Sequence, residues 1–290
     1  MAPDIYQESA GRLSALLLRG LPSVKEIVFI PSGRLGTIPF EALLYKKPGK
    51  ESSFGSFPYL VQRYAVSYEF SAGLLLQKKA RRTDTDKASI LLCAPISFPV
   101  KDNLNDLPGT EQEVTSISKL FSGKAQVMKG QDANEGLVKS GGLDRYGFLH
   151  FATHGIVDET SPELSRIFLQ STGTEDGNVF SGEIFNLKLN ADLTVLSACQ
   201  TGLGRYSKGE GVIGLSRALV YAGARSIVVS YWSVADQSTA QLMTDFYSVL
   251  LSRPGVSLES ALRQAKENMI TKGTFAAPYY WAPFVMIGSQ

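Results

Sequence analysis

The chain has little of what builds metal centres or disulfide frameworks: two cysteines, Cys93 and Cys199, and two histidines, His150 and His154, in 290 residues. Two cysteines cannot staple a scaffold, and four Cys and His together give too few ligands at workable spacing for a metal site, so both cysteines are expected to act as thiols with no cofactor. Long apolar runs are also missing; the longest stretches fall well short of the roughly 18 residues a membrane span needs. The opening Met1-Ala2-Pro3-Asp4 has no basic start followed by an apolar core, so no secretory signal is read there and a cytoplasmic location is expected. Charge of one sign is lacking too: 29 Lys and Arg stand against 27 Asp and Glu, a net charge of +2. With no basic run beyond pairs such as Arg81-Arg82, the footprint for nucleic acid or an anionic membrane is absent, and polypeptides or small molecules are the expected partners.

What is present is a globular composition, 44% hydrophobic and 19% charged, which excludes a disordered or collagen-like chain and supports one large or two modest domains. Residues 12–20 read as the end of a helix stopped by Gly20 and Pro22, followed by a buried strand over 26–30, as though the sequence begins inside a larger architecture. An alternating stretch from Val61 to Tyr68 reads as a strand, and a polar linker over 78–87 closes a first part. From Ser89 onward apolar runs alternate with helical patterns, the signature of an open, mostly parallel sheet. Strands are expected at 89–94, 125–129, 146–152, 193–198, 225–231 and 283–287. Helices are expected near 110–121, 133–140, 211–222, 236–251 and 257–270. No internal repeat is visible.

In such a sheet, function gathers where strands end and loops begin. Two strand ends stand out: the run 146–153 leads into His154-Gly155, and the run 193–198 leads into Cys199. A base and a soft nucleophile thus share one sheet edge, 45 residues apart, near the roughly 50-residue His-to-Cys gap of caspase-type proteases. A free thiol is mostly protonated at neutral pH, so a nucleophilic cysteine needs a base, which His154 can supply. Gly155 lets a backbone N–H approach a tetrahedral intermediate, and the Cys199 N–H would be the second oxyanion donor. His150 competes as the base but falls within its strand, where a structural hydrogen bond suits it better. Cys93 sits inside a strand and reads as core packing. Asp236 suits a helix N-cap, and Glu210 a loop carboxylate near a helix start.

These residues carry a wider resemblance. His150-Phe-Ala-Thr-His154-Gly155, Leu196-Ser-Ala-Cys199-Gln-Thr-Gly202, Lys208-Gly-Glu-Gly211, Ala222-Gly-Ala224, Tyr231-Trp-Ser-Val-Ala-Asp236 and Trp281-Ala-Pro-Phe284 resemble the CHAT domain, of the caspase, gingipain and separase group of cysteine peptidases. The likeness extends through Ile30-Pro-Ser-Gly33, Ile38-Pro-Phe-Glu-Ala-Leu43 and Leu107-Pro-Gly-Thr-Glu-Gln-Glu113, so it covers nearly the whole chain. It implies a caspase-like three-layer α/β sandwich with a mostly parallel central sheet. Residues 1–86 would be a smaller N-terminal, pseudo-caspase-like part and 87–290 the catalytic part. It implies a cysteine endopeptidase with His154 and Cys199 as the dyad, acting on a polypeptide substrate and regulated by a tetratricopeptide-repeat region or another protein. The pocket for the residue before the scissile bond would draw on Glu210, Trp232, Ser233 and Asp236. A carboxylate there would select Arg or Lys, whereas an aromatic pocket would take Leu or Met. Two positions depart from the family pattern: Tyr231, where Leu commonly precedes the Trp, and Ser233, where relatives can carry an acid.

Two other readings stay open. A caspase-like module could transmit binding without cutting, or await a partner that orders its loops at 156–165 and 200–210. Separately, Gly209-Glu-Gly211-Val-Ile-Gly214 matches a dinucleotide-binding fingerprint with Asp236 downstream. That match fails on context, because the first glycine should follow its strand almost at once, and here residues 199–208 intervene.

Overall fold

The computed structural model describes residues 2–47, 49, 53–77, 89–158, 160–197 and 210–288, without the side chains of 101 and 210–213. The strands are β1 (Glu26–Phe29), β2 (Ala65–Tyr68), β3 (Ile90–Ala94), β4 (Ala125–Lys129), β5 (Phe148–Phe151), β6 (Gly155–Ile156), β7 (Arg166–Phe168), β8 (Asn178–Phe180), β9 (Leu193–Leu196), β10 (Ser226–Ser230) and β11 (Phe284–Ile287). Helices α1 (Pro3–Leu17), α2 (Ala72–Gln77), α3 (Pro108–Leu120), α4 (Glu135–Lys139) and α5 (Ser181–Ile184) lie between them in the first two thirds of the chain. Helices α6 (Glu210–Ala222), α7 (Asp236–Ser252), α8 (Leu258–Lys272) and α9 (Pro278–Trp281) complete it.

Eight strands form one sheet in the order β1-β2-β11-β10-β9-β5-β3-β4, and β6-β7-β8 form a small antiparallel sheet. Every neighbouring pair of the large sheet is parallel except β10 with β11. Parallel strands need helical crossovers, which cover both faces and leave the strands apolar on both sides. The burial pattern obeys this. Ile90, Leu92, Phe148, Leu193, Val195, Val228, Phe284 and Met286 join one core with α3, α7 and α8. Their strand neighbours Leu91, Cys93, Leu149, Phe151, Leu196, Ile227, Val229 and Val285 join a second core with α6. The period-two alternation thus divides each strand between two cores, and the result is the three-layer α/β sandwich.

Several local expectations shift. The first helix begins at Pro3, where proline costs no hydrogen bond, and ends at Leu17 ahead of Gly20 at φ 70°. β1 is the sheet's edge strand and is exposed or half-buried along its length, because pairing on one side leaves the other uncovered. The stretch from Val61 opens as a 3-10 turn over Leu60–Gln62 and becomes a strand only at Ala65. The loop 156–165 contains the end of β6, a 3-10 turn at Pro162–Leu164, and Asp158, whose carboxylate accepts from the Thr160 and Ser161 N–H groups. The linker over 78–87 lies outside the described residues.

The first part of the chain is joined to the same sheet through β2 and β11, and it is anchored by an ion pair. Glu41, in the Ile38–Leu43 motif, accepts from Lys266 Nζ at 2.6 Å and from the Tyr68 hydroxyl at 2.7 Å. Both charges are almost fully buried, at 2% and 1% exposure. Tyr68 Oη in turn accepts from the Phe40 N–H, so the motif fixes its own turn against α8. Burial pushes the Lys266 ammonium below the ordinary lysine range, and the Glu41 carboxylate opposes that shift. Among the described residues no helix is long and apolar enough to cross a membrane.

Candidate active site

β5 and β9 are hydrogen-bonded neighbours running in parallel, with Phe151 opposite Leu196. The two expected catalytic residues each follow their strand's last paired position by three residues, His154 after Phe151 and Cys199 after Leu196. The chain beyond Ser197 up to 209, with Cys199 in it, lies outside the described residues, and so does the side chain of Glu210 at the start of α6.

His154 is almost wholly buried, at 2% exposure, beneath the loop that joins β3 to α3. Its Nε2 lies 2.7 Å from the backbone carbonyl of Asn105, and the Phe98 ring tilts over the imidazole with centroids 4.7 Å apart. A carbonyl can only accept, so the neutral imidazole carries its proton on Nε2, and the Nδ1 lone pair is left free. Among the described residues Nδ1 is buried with no hydrogen-bond partner. Burial lowers the imidazole below the ordinary value of 6.5, against the smaller raising effects of the Asn105 bond and the Asp236 charge. His154 is therefore suited to be a neutral base.

The overlying loop is held at several points. The Leu107 N–H donates to Ile96 O at 2.7 Å, and the Phe98 N–H to Asp106 Oδ1 at 3.2 Å. From the small sheet's side, Gln170 Nε2 donates to the carbonyls of Pro95 and Ser97. Ile96 sits at φ 69°, a left-handed conformation that costs a β-branched residue on the order of 1–3 kcal/mol. The loop thus keeps this shape because its surroundings impose it.

Gly155 opens β6 opposite Ile167. The ladder bond at this point runs from the Phe168 N–H to His154 O, which makes Gly155 and Ile167 a non-hydrogen-bonded pair and turns the Gly155 N–H away from β7. Trp232 and Ser233 follow β10 and are bracketed by Tyr279 of α9. The Trp232 Nε1–H donates to Tyr279 O at 3.0 Å, and the Tyr279 hydroxyl to Ser233 O at 3.0 Å. Tyr231 packs its ring against the second core, and burial raises its hydroxyl above the ordinary tyrosine range. Asp236 is not the N-cap of α7. That position is Ala235, and the Asp236 carboxylate reaches instead to the Gly109 N–H in the first turn of α3, at 3.2 Å.

The second histidine is engaged at both nitrogens. His150 Nε2 lies 2.9 Å from Glu113 Oε1, and its Nδ1 lies 3.3 Å from the Tyr247 hydroxyl. The imidazole is 0% and Glu113 1% exposed, so this triad ties β5 to α3 and α7 inside the first core. Sequence reasoning missed Phe98, Asn105, Gln170 and Tyr247; of these, only a backbone carbonyl contacts His154 by hydrogen bond, and a carbonyl leaves no sequence signal. Glu113 was visible only as part of the Leu107–Glu113 motif. Cys93 is fully buried, and burial pushes its thiol up to about 12, so it is inert at neutral pH. Among the described residues no group of three or more His, Cys, Asp or Glu could hold a metal ion.

A mostly parallel sheet covered on both faces by helices is the caspase-like fold, and the comparisons agree on the fold. The CHAT domain matches residues 7–289, and the chain belongs to that family. It is 26% identical to tetratricopeptide repeat protein 28 of Mus musculus and 25% identical to that of Homo sapiens, with 92% of this chain aligned in each. It spans only 12% of the length of those relatives. Among solved structures, the separase–securin complex of Saccharomyces cerevisiae superposes with a TM-score of 0.57 at 14% identity, over 92% of this chain and 16% of that one. The Arg-specific cysteine proteinase gingipain R superposes with a TM-score of 0.55 at 9% identity, over 99% of this chain and 67% of that one. At such identities the likeness is one of fold.

Proposed function

We propose that this CHAT domain is a cysteine endopeptidase in which Cys199 is the nucleophile and His154 the base. The observation that supports the reading is the register of β5 and β9, whose last paired positions, Phe151 and Leu196, face each other, each three residues in sequence before His154 and Cys199. The Nε2–H bond to Asn105 supports it, because it leaves Nδ1 as the proton acceptor. In the reaction Nδ1 takes the thiol proton and the sulfur attacks the scissile carbonyl carbon. The carbonyl electrons move onto the oxygen, held by the N–H groups of Gly155 and Cys199. As the tetrahedral intermediate collapses, the C–N bond breaks and the imidazolium gives its proton to the leaving amine. Water, deprotonated by the same nitrogen, then hydrolyses the thioester.

The substrate is a polypeptide. For the residue before the scissile bond we favour Arg or Lys, read by Glu210 and Asp236, with Trp232 and Ser233 as neighbouring wall. The relatives' tetratricopeptide-repeat name supports a repeat region, in the same chain or a partner, as the regulator, and a cytoplasmic setting suits it. The test is proteomic identification of new N-termini when the protein is expressed with its candidate partners. Cleavage is expected from the native protein and not from Cys199→Ala or His154→Ala. Full cleavage by Cys199→Ala would refute the mechanism. Absence of cleavage with every partner, together with unchanged signalling by Cys199→Ala, would favour the non-cutting module.

A further inference from the structure

The amino end of α3 meets the amino end of α7 unusually closely. A Cβ built on Gly109 would lie 2.3 Å from Asp236 Cβ, so glycine is required there for the two helix ends to touch. The Asp236 carboxylate uses that approach to accept the Gly109 N–H at 3.2 Å. Gly109 is four residues beyond Asn105, whose carbonyl fixes the His154 proton on Nε2. Between them Leu107 ties the same segment back to Ile96, which sits at φ 69°. A loop in that conformation needs anchoring from outside itself. One anchor is Gln170 on the small sheet's side; Asp236 supplies the other from α7.

We propose that Asp236 is a positioning residue for His154: by holding the amino end of α3 through Gly109, it keeps the Asn105 carbonyl in place and with it the Nε2–H tautomer. The inference rests on the reading of His154 as the catalytic base and holds whichever side chain the substrate pocket selects. It goes further than a cap, because the same carboxylate stands near enough for its charge to favour the protonated imidazole against burial. The neighbouring carboxylates are engaged elsewhere: Asp106 accepts from the Phe98 N–H, and Glu113 holds His150. The sequence spreads the device over two motifs more than a hundred residues apart, Leu107–Glu113 and Tyr231–Asp236, which explains why neither shows it alone.

With only two histidines in the chain, the test is direct. Imidazole nitrogen resonances of the histidine-labelled full chain, recorded without substrate, report the tautomer and titration of His154, while His150 reports the integrity of α3 and α7. In Asp236→Asn the His154 signals are expected to lose their single Nε2–H pattern and to titrate at lower pH, with His150 unchanged. Gly109→Ala, which keeps the acid but pushes it away, is expected to disturb the tautomer in the same way. Asp236→Glu, which keeps the charge on a longer arm, is expected to disturb it less. Cleavage of Leu-ending peptides, which an acid in the pocket does not select, should fall in Asp236→Asn along with that of Arg-ending ones, with the acid limb of the pH profile moved to lower pH. Identical His154 signals in the native protein and all three variants would overturn the proposal. Loss confined to Arg-ending peptides would assign Asp236 to the substrate alone. If Cys199→Ala still cleaved, the protease reading would fail while the tautomer result stood.

Discussion

His150 and His154 stand four residues apart on one strand and its extension, yet their surroundings are opposite. His150 points with Phe148 into the first core, where a carboxylate and a hydroxyl satisfy both its nitrogens. His154 lies past the strand end, with one nitrogen bonded to a carbonyl and the other buried without a partner among the described residues. A saturated imidazole has no proton to take up or give without breaking a buried bond, so it serves cohesion. A half-saturated one has an open lone pair, which is what a general base requires. Burial alone does not separate the two histidines; the count of partners among the described residues does.

The largest expected effect is a double dissociation. His154→Ala should lower cleavage of a cognate polypeptide by about 10²–10⁴-fold, the usual contribution of general acid–base catalysis, with the thermal midpoint nearly unchanged. His150→Ala should do the reverse, since it leaves the buried Glu113 side chain without its hydrogen-bond partner, at a cost of about 1–3 kcal/mol or more. Activity per folded molecule should stay close to native. Urea unfolding and peptide turnover on the same preparations would check both; a folded, inactive His150→Ala protein would exchange the roles.

A second buried pair tests whether cohesion of this kind is general to the molecule. Lys266→Met strands the Glu41 carboxylate inside the junction of β2, α8 and the Phe40 turn. It should destabilise by about 3–5 kcal/mol, whereas Glu41→Leu combined with Lys266→Met should recover most of that loss. Calorimetry of the single and double variants would show it. A single variant as stable as the native protein would mean that the motif around Glu41 is held by packing alone.

The fold was legible because parallel strands buried on both faces write themselves as apolar runs: all six strands expected from Ser89 onward appear within two residues of their read boundaries. The family was legible from motifs spread along the whole chain. What escaped were groups whose chemistry belongs to the backbone or to distant partners. The Asn105 carbonyl has no residue signature, the small β6-β7-β8 sheet has strands of two or three residues, and Tyr247 lies ninety-seven residues from the histidine it bonds. Asp236 looked like a cap because its own helix begins with it; that it serves another helix depends on the close approach of Gly109. β1 read as buried because its residues are apolar, and its place at the sheet edge follows only from topology.

The pH dependence of stability should carry the mark of His154. Burial holds His154 below the ordinary 6.5 in the folded state. As pH falls through 6.5 the unfolded chain takes up a proton there that the folded chain does not, so stability contributed by the neutral form is present above that pH and declines below it. The decline continues until the folded imidazole itself is protonated. Urea midpoints measured from pH 8 to pH 5 should fall more steeply for the native protein than for His154→Ala. Parallel slopes would show that the imidazole is not held neutral by its burial.

The smallest effect tests how far the two sites are separated. Tyr247 bonds the remaining nitrogen of His150 from α7, and burial raises its hydroxyl well above the ordinary tyrosine range, so the oxygen keeps its proton and donates it. Tyr247→Phe keeps the ring, which packs edge-on against Phe121 with centroids 5.6 Å apart, and removes only the donor. The buried Nδ1 of His150 then lacks a partner, at a cost of about 1–3 kcal/mol. The bond is long at 3.3 Å, which places the loss toward the lower end. Cleavage should not change, because α7 would still present Asp236 to Gly109 and the Asn105 carbonyl would still hold His154. A tenfold fall in turnover at nearly native stability would show that strain in the His150 triad reaches the strand end, and that two imidazoles four residues apart on one strand do not work independently.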